Sequence, residues 1–248
     1  MGLSIDATTG EHIGDRTSMQ DRVAIIPSKK LRGTALVVLA DGAGGYTGGE
    51  AAAEQVMATS RNLFENFSPR DESPRDLLAA IIDEAHTVIK LNRILTEEEP
   101  HSTFVAMVLQ PDRVDWAHVG DSRLYHFRDG ELRHRTPDHS LVESLIREGQ
   151  LREKDRHAHP NRNLLVQALG HSEQPKPDFG ASTPLADGDA FLLCSDGLWD
   201  YFEDAAFGKV LNTLPPRKAA ELLITGARAK AKGRGDNISL AIIKLGAS

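Results

Sequence analysis

The chain has 248 residues, with 29 Lys and Arg against 36 Asp and Glu, a formal net charge of −7, and 40% hydrophobic residues. That balance excludes a disordered, collagen-like or disulfide-stapled chain and argues against a general nucleic-acid binder. The length suits one domain with a sizeable core, and the single cysteine, Cys194, closes no internal disulfide, so a reducing, cytoplasmic setting is expected. Cys194 itself reads as a small buried hydrophobe. No apolar run approaches the roughly 20 residues of a membrane span. Residues 1–10 lack the basic start and apolar core of a secretory signal. Gly2 hints at myristoylation, but Asp6 stands where that motif needs Ser or Thr.

In chain order, residues 22–27 and 34–40 read as strands rich in Val, Ile and Leu. Residues 49–67 place Val56, Ser60, Leu63, Phe64 and Phe67 on one helical face. A second helix opens with Ser73 as cap and Pro74 in the first turn. Its residues Leu77, Leu78, Ile81, Ile82, Ala85, Val88 and Ile89 follow the helical period. Strands follow at 103–109, 113–118, 123–127 and 131–135, and Pro111-Asp112 and Asp129-Gly130 supply turns for an antiparallel meander. Residues 141–147 form a short helix ended by Gly149, and the charged stretch 150–163 reads as a mobile surface flap. Strands at 191–194 and 238–245 enclose helical patterns at 204–214 and 217–230. Clustered rather than alternating strands favour α+β layering.

The aspartates carry the chemistry. Asp41 and Asp196 end apolar strands, Asp121 follows one, and Asp21 and Asp236 each precede one. Glycines beside them, at 42, 44, 45, 120, 197 and 235, permit tight bends and close approach of ligands. A single Asp-Gly pair is a turn. Five strand-end carboxylates repel one another and call for a compensating cation. All-oxygen ligation suits Mg²⁺ or Mn²⁺ rather than zinc. The kinase-like tripeptide Asp178-Phe179-Gly180 stands without a glycine-rich loop or catalytic His-Arg-Asp and is a chance match. Basic residues of the flap, among them Arg147, Arg152, Lys154, Arg156 and Arg162, read as solvated charge, and Trp116 and Trp199 as packing residues.

The motifs in this order resemble the metal-dependent serine/threonine protein phosphatases of type 2C, in their compact bacterial form. Gly14-Asp15-Arg16-Thr17-Ser18-Met19-Gln20-Asp21 resembles the family's opening motif, and Asp41-Gly42-Ala43-Gly44-Gly45 its first metal loop. Val119-Gly120-Asp121-Ser122-Arg123, Thr136-Pro137-Asp138-His139-Ser140, Cys194-Ser195-Asp196-Gly197 and Gly235-Asp236-Asn237 are similar to its later motifs. The resemblance implies a four-layer α-β-β-α sandwich, two antiparallel sheets flanked by helices with a dinuclear metal site at one end between them. It implies a single catalytic domain over 1–248, with a flap-like segment around 140–180.

By the same resemblance Asp41 bridges two Mn²⁺ or Mg²⁺ ions, the Gly42 carbonyl ligates one, and Asp196 and Asp236 hold the second. Asp121 supports a third, weaker ion, Asp21 acts through water, and Arg16 grips the phosphate. The implied reaction is hydrolysis of phosphoserine and phosphothreonine in proteins by a metal-bridging hydroxide. The implied partners are phosphoproteins and an opposed serine/threonine kinase, with no nucleic acid and no membrane, and the chain acting as a monomer. Alternatives are a weakly catalytic phosphoprotein-binding regulatory module and a small-molecule phosphomonoesterase. Two positions depart from relatives: Ala43 stands where some eukaryotic members carry a histidine proposed to protonate the leaving group, and Gln20 where many members have a glutamate. Metal-bound water takes the proton-donor role, with His139 and His134 as weaker candidates.

Overall fold

Nearly continuous apolar strands are the sign of sheets covered on both faces, and two such sheets form the centre of this molecule. The computed structural model describes residues 3–45, 47–95 and 98–247, so Gly2 lies outside the described residues. The first sheet runs β1 (Leu3–His12), β11 (Ile238–Ala247), β10 (Asp189–Cys194), β7 (Arg123–Arg128) and β8 (Glu131–Arg135). The second runs β2 (Asp21–Pro27), β3 (Ala35–Ala43), β5 (Phe104–Leu109), β6 (Val114–Val119) and β9 (Asp178–Ser182). A two-residue strand, β4 (His101–Ser102), pairs with the end of β3. These strand pairs are antiparallel.

Val37, Leu39, Val105, Met107, Leu124, Phe191, Leu193 and Ile243 fill the space between the sheets. On the outer face of the second sheet, α1 (Gly48–Asn66) and α2 (Pro74–Leu95) press Val56, Phe64, Leu77, Ile81 and Ile82 against Leu36, Val38 and Ala106. On the outer face of the first, α5 (Asp204–Thr213) and α6 (Pro216–Ala231) press Phe207, Leu211 and Leu223 against Tyr125, Phe127, Leu192 and Leu240. The layers therefore run helices, sheet, sheet, helices. Each such buried side chain contributes about 1.5–3 kcal/mol.

The helix ends follow their sequence signals. The Ser73 hydroxyl accepts the Asp76 N–H at 3.1 Å and donates to the Asp76 carboxylate at 2.6 Å. Ser140 caps α3 (Leu141–Arg147) by accepting the Glu143 N–H. Among the described residues no helix is long and apolar enough to cross a membrane.

Two expectations are corrected. The strands over 103–135 are not one meander: β5–β6 and β7–β8 are hairpins in different sheets, and the chain crosses between them at 120–122. Gly120, with φ +102, makes that crossing possible, because its backbone lies where side-chain-bearing residues are strained. The flap 150–163 is not wholly solvated either. It contains a 3₁₀ turn, Glu153–Ala158, whose Arg156 is 5% exposed.

Candidate active site

The ladder between β2 and β3 sets Asp21 opposite Asp41, the first pair of the centre. Asp121 enters from the crossing between the sheets. Asp196 opens the short helix α4 (Asp196–Trp199) directly after β10, and Asp236 stands two residues before β11. One strand end from each region thus delivers a carboxylate to the same place.

Electrostatics record how close the five come. Burial, then the charges of Asp21, Asp196, Asp121 and Asp236, hold the Asp41 carboxyl well above the ordinary value. Asp196 is raised by burial and then by Asp121, Asp236 and Asp21. Asp121 rises to about 7 through burial and the charge of Asp138, against the opposing pull of Arg123. Asp21 rises to about 6 through burial, opposed by its bond from Ser195 and reinforced by Asp236. Carboxylates crowded in this way form an oxygen donor set that fits hard divalent cations.

Hydroxyl and amide bonds fix the frame. Asp41 donates its N–H to Thr103 Oγ1 at 2.9 Å and accepts the Thr103 N–H at 2.9 Å, while Thr103 Oγ1 meets Ser122 Oγ at 2.8 Å. Ser195 donates its hydroxyl to Asp21 at 2.7 Å and accepts the Ser239 N–H at 3.0 Å. Asn237 ties the loop after β1 to β11: its Nδ2 donates to the Ile13 and Ser18 carbonyls at 2.8 and 3.0 Å, and its Oδ1 accepts the Gln20 N–H at 2.7 Å. Gly42 admits no side chain, since a Cβ would lie 1.9 Å from the Gly49 carbonyl oxygen. Arg16, on the same loop, donates from Nη2 to Asp236 at 2.5 Å, with its side chain 58% exposed. It stands at the rim of the cluster.

Three features escaped the sequence. Trp199 does more than pack: its Nε1–H donates to the Asp121 carbonyl at 2.9 Å. His139 braces the crossing from behind, accepting the Gly120 N–H at Nδ1 (3.3 Å) and donating its own N–H to the Gly120 carbonyl (2.8 Å). His118 stacks on His139 at 4.6 Å and sets Nε2 2.7 Å from the Pro137 carbonyl, which leaves its buried Nδ1 without a partner. With Asp178, 3.5 Å from His139 Nε2, these histidines bring metal-capable atoms within 4.8 Å of one another. Burial keeps both rings neutral near pH 7, His118 being lowered to about 4 and His139 also lowered. No spacing in the sequence announces this trio, because it joins β6, the segment after β8 and β9. The His134 ring lies tilted against Trp116, 4.9 Å between centroids, part of the first sheet's packing on the second.

Comparison with known proteins agrees with this geometry. The sequence pattern of the family described as Protein phosphatase 2C matches residues 9–223. The chain is 33% identical over 216 residues to the serine/threonine protein phosphatase PstP of Mycobacterium tuberculosis, covering 85% of this chain and 40% of that protein. A solved S. agalactiae serine/threonine phosphatase superposes with a TM-score of 0.85 at 31% identity, over 97% of this chain and 99% of that one. The PstP catalytic domain solved with two manganese ions gives a TM-score of 0.81 at 28% identity, over 99% of this chain and 100% of that one. By fold, by motif order and by the family pattern over most of its length, the chain belongs to the protein phosphatase 2C family of metal-dependent serine/threonine protein phosphatases, as a compact catalytic domain of the bacterial type.

Proposed function

We propose that the chain, as a single catalytic domain over 1–248 with a flap around 140–180, removes phosphate from phosphoserine and phosphothreonine in proteins. The carrying observation is the cluster of Asp21, Asp41, Asp121, Asp196 and Asp236, crowded on strand ends with Arg16 at its rim. Asp41, the Gly42 carbonyl, Asp196 and Asp236 would hold two Mn²⁺ or Mg²⁺ ions, Asp121 would serve a weaker third, and Asp21 would act through water. Bound there, such ions neutralise the carboxylates, acidify water and absorb charge developing on the phosphoryl oxygens.

The protein's own residues do the rest. Arg16 exchanges its bond to Asp236 for the phosphate oxygens, a match of planar fork to anion. Ser195 and Asn237 hold Asp21 and the Arg16 loop in place, so the anion meets a preformed frame. Ala43 carries no proton, and His139 is occupied by Gly120 and Asp178, so the leaving alkoxide takes its proton from water. We read the setting as cytoplasmic, with phosphoproteins as substrates, a serine/threonine kinase in opposition, and the chain acting as a monomer; the buried, free Cys194 fits a reducing compartment. The chain spans 40% of PstP, so the substrates of that longer protein are not carried over whole.

The test is phosphate release from a phosphothreonine peptide with Mn²⁺, Mg²⁺ or excess chelator, beside Asp41→Asn. Metal-dependent release that falls about 10²-fold or more in Asp41→Asn is expected. No release with any metal from a folded sample would favour the binding-module reading. Release from nucleotides but not from peptides would favour a small-ester substrate.

A further inference from the structure

We propose that Arg156 is a positioning residue for the reaction described above: it docks the flap on Asp138 and, through Arg123 and Trp199, fixes the turn that carries Asp121. The activity arm of the test rests on the phosphatase reading; the exchange arm does not.

Arg156 lies on the 3₁₀ turn of an otherwise surface-exposed flap, yet its side chain is 6% exposed. An arginine is buried only where partners replace its water, and three carboxylates do so here. Nη1 donates to Asp138 Oδ2 at 3.2 Å, Nε to Glu153 Oε1 at 2.8 Å, and Nη2 to Glu143. Asp138 is held from its other side by Arg123, whose Nε and Nη2 each donate to one of its oxygens at 2.7 Å. The Arg123 guanidinium stacks on the Trp199 ring, 3.5 Å from its centroid. Trp199 then donates to the Asp121 carbonyl at 2.9 Å. From flap to acidic centre, every step is a buried bond or a ring stack, the kind of contiguous packing that transmits a displacement.

The other flap attachments differ in kind. The base is closed by backbone bonds, Leu141 N–H to the Leu164 carbonyl at 2.9 Å and Val166 N–H to the His139 carbonyl at 2.8 Å. Nearer the tip, His157 meets Asp200 at 2.9 Å and Arg162 meets it at 3.9 Å, both from side chains about half exposed. Exposed pairs of that sort contribute little. Without Arg156, Glu143 and Glu153 would face each other and Asp138 with no cation between them, and the flap would be pushed off the core. Asp138 would then rely on Arg123 alone, with nothing holding it from the flap side.

The experiment compares the full chain with Arg156→Ala and with Arg152→Ala, a flap arginine 74% exposed and paired with Asp155. Amide hydrogen exchange is followed in two windows without substrate, the flap at 150–163 and the crossing at 119–123. In Arg156→Ala both windows are expected to exchange about tenfold faster or more, and in Arg152→Ala neither changes. With a phosphothreonine peptide and Mn²⁺, Arg156→Ala is expected to raise KM about tenfold with a smaller fall in kcat. Arg156→Lys, which keeps the charge but not the fork, should restore both in part. Faster exchange in the flap with none at 119–123 would overturn the proposal, as would equal effects from Arg152→Ala. Should Arg156→Ala not fold, Arg156→Gln carries the same two exchange readings.

Discussion

Two clusters of charge, each with a buried heart, meet around residues 121–138, and they are built on opposite plans. In one, Arg123 and Arg156 interleave with Asp138, Glu143 and Glu153, and each charge has a hydrogen-bonded partner of the other sign. In the other, burial and the charges of neighbouring aspartates raise Asp41 and Asp196, burial and Asp236 raise Asp21, and Arg16 pairs with Asp236 at the rim. The first is complete within the chain and organises structure. The second is left short of positive charge by the protein itself, which is how a fold reserves a place for cations. The clusters also touch: Asp138 raises the Asp121 carboxyl and Arg123 lowers it, so the balanced cluster tunes its neighbour.

Breaking the balanced cluster should cost the most. Asp138→Asn strands Arg123 in the interior, and a loss of about 3–5 kcal/mol is expected in denaturant unfolding. A loss below 1 kcal/mol would show that water already screens this pair.

Relieving the unbalanced cluster should act in the other direction. Burial and the charge of Asp138 push the Asp121 carboxyl up to about 7 in the folded protein, above the ordinary carboxylate range. As pH rises, the unfolded chain gives up this proton first, so ionising Asp121 destabilises the fold between about pH 4 and 7. In chelator, Asp121→Asn should therefore be more stable than wild type by about 1–3 kcal/mol at pH 8. The gain should vanish below about pH 4, where both proteins are neutral at this position. Thermal unfolding across pH tests this, and Mn²⁺ should erase the difference by supplying the missing charge. An unchanged difference with and without Mn²⁺ would separate Asp121 from metal binding.

The smallest effect belongs to charge outside both clusters. Lys29 pairs with Glu65 at 3.3 Å with side chains 87% and 65% exposed. Lys29→Ala is expected to stay within about 0.5 kcal/mol of wild type in the same unfolding assay.

The crowding of the five aspartates was legible because each stands where an apolar strand begins or ends, a pattern that survives in one dimension. The helix α2 was legible through its period and its Ser73 cap, and α3 through the Gly149 that follows it. Of the four edge strands, β2 and β8 were legible and β1 and β9 were not. β1 carries Ser4, Asp6, Thr8 and Glu11, polar residues that give little periodic signal, and its ten-residue pairing with β11 joins opposite ends of the described chain. β9 is five residues containing one large apolar side chain, Phe179. Arg156 read as solvated because its partners come from two other segments, Asp138 before α3 and Glu143 within it. Trp199 looked like packing because its indole N–H finds a backbone carbonyl 78 residues away in sequence. Local pattern reports which residues are apolar; it does not report which carbonyl a ring will face.

The pairing of β1 with β11 also sets an order of events during synthesis. Residue 21 leaves the ribosome early, but Asp236, Asn237 and the strand that seats them between β1 and β10 come more than 200 residues later. Until then β1 and β10 have no strand between them, Ser195 lacks the Ser239 N–H, and the Arg16 loop has no Asn237 to gather it. Long-range closure of this sort is slow and comes late. The centre therefore cannot form piecemeal on a growing chain: it arises in one step, when β11 slides into its slot, and a truncated nascent polypeptide carries the parts of a phosphatase site without being one.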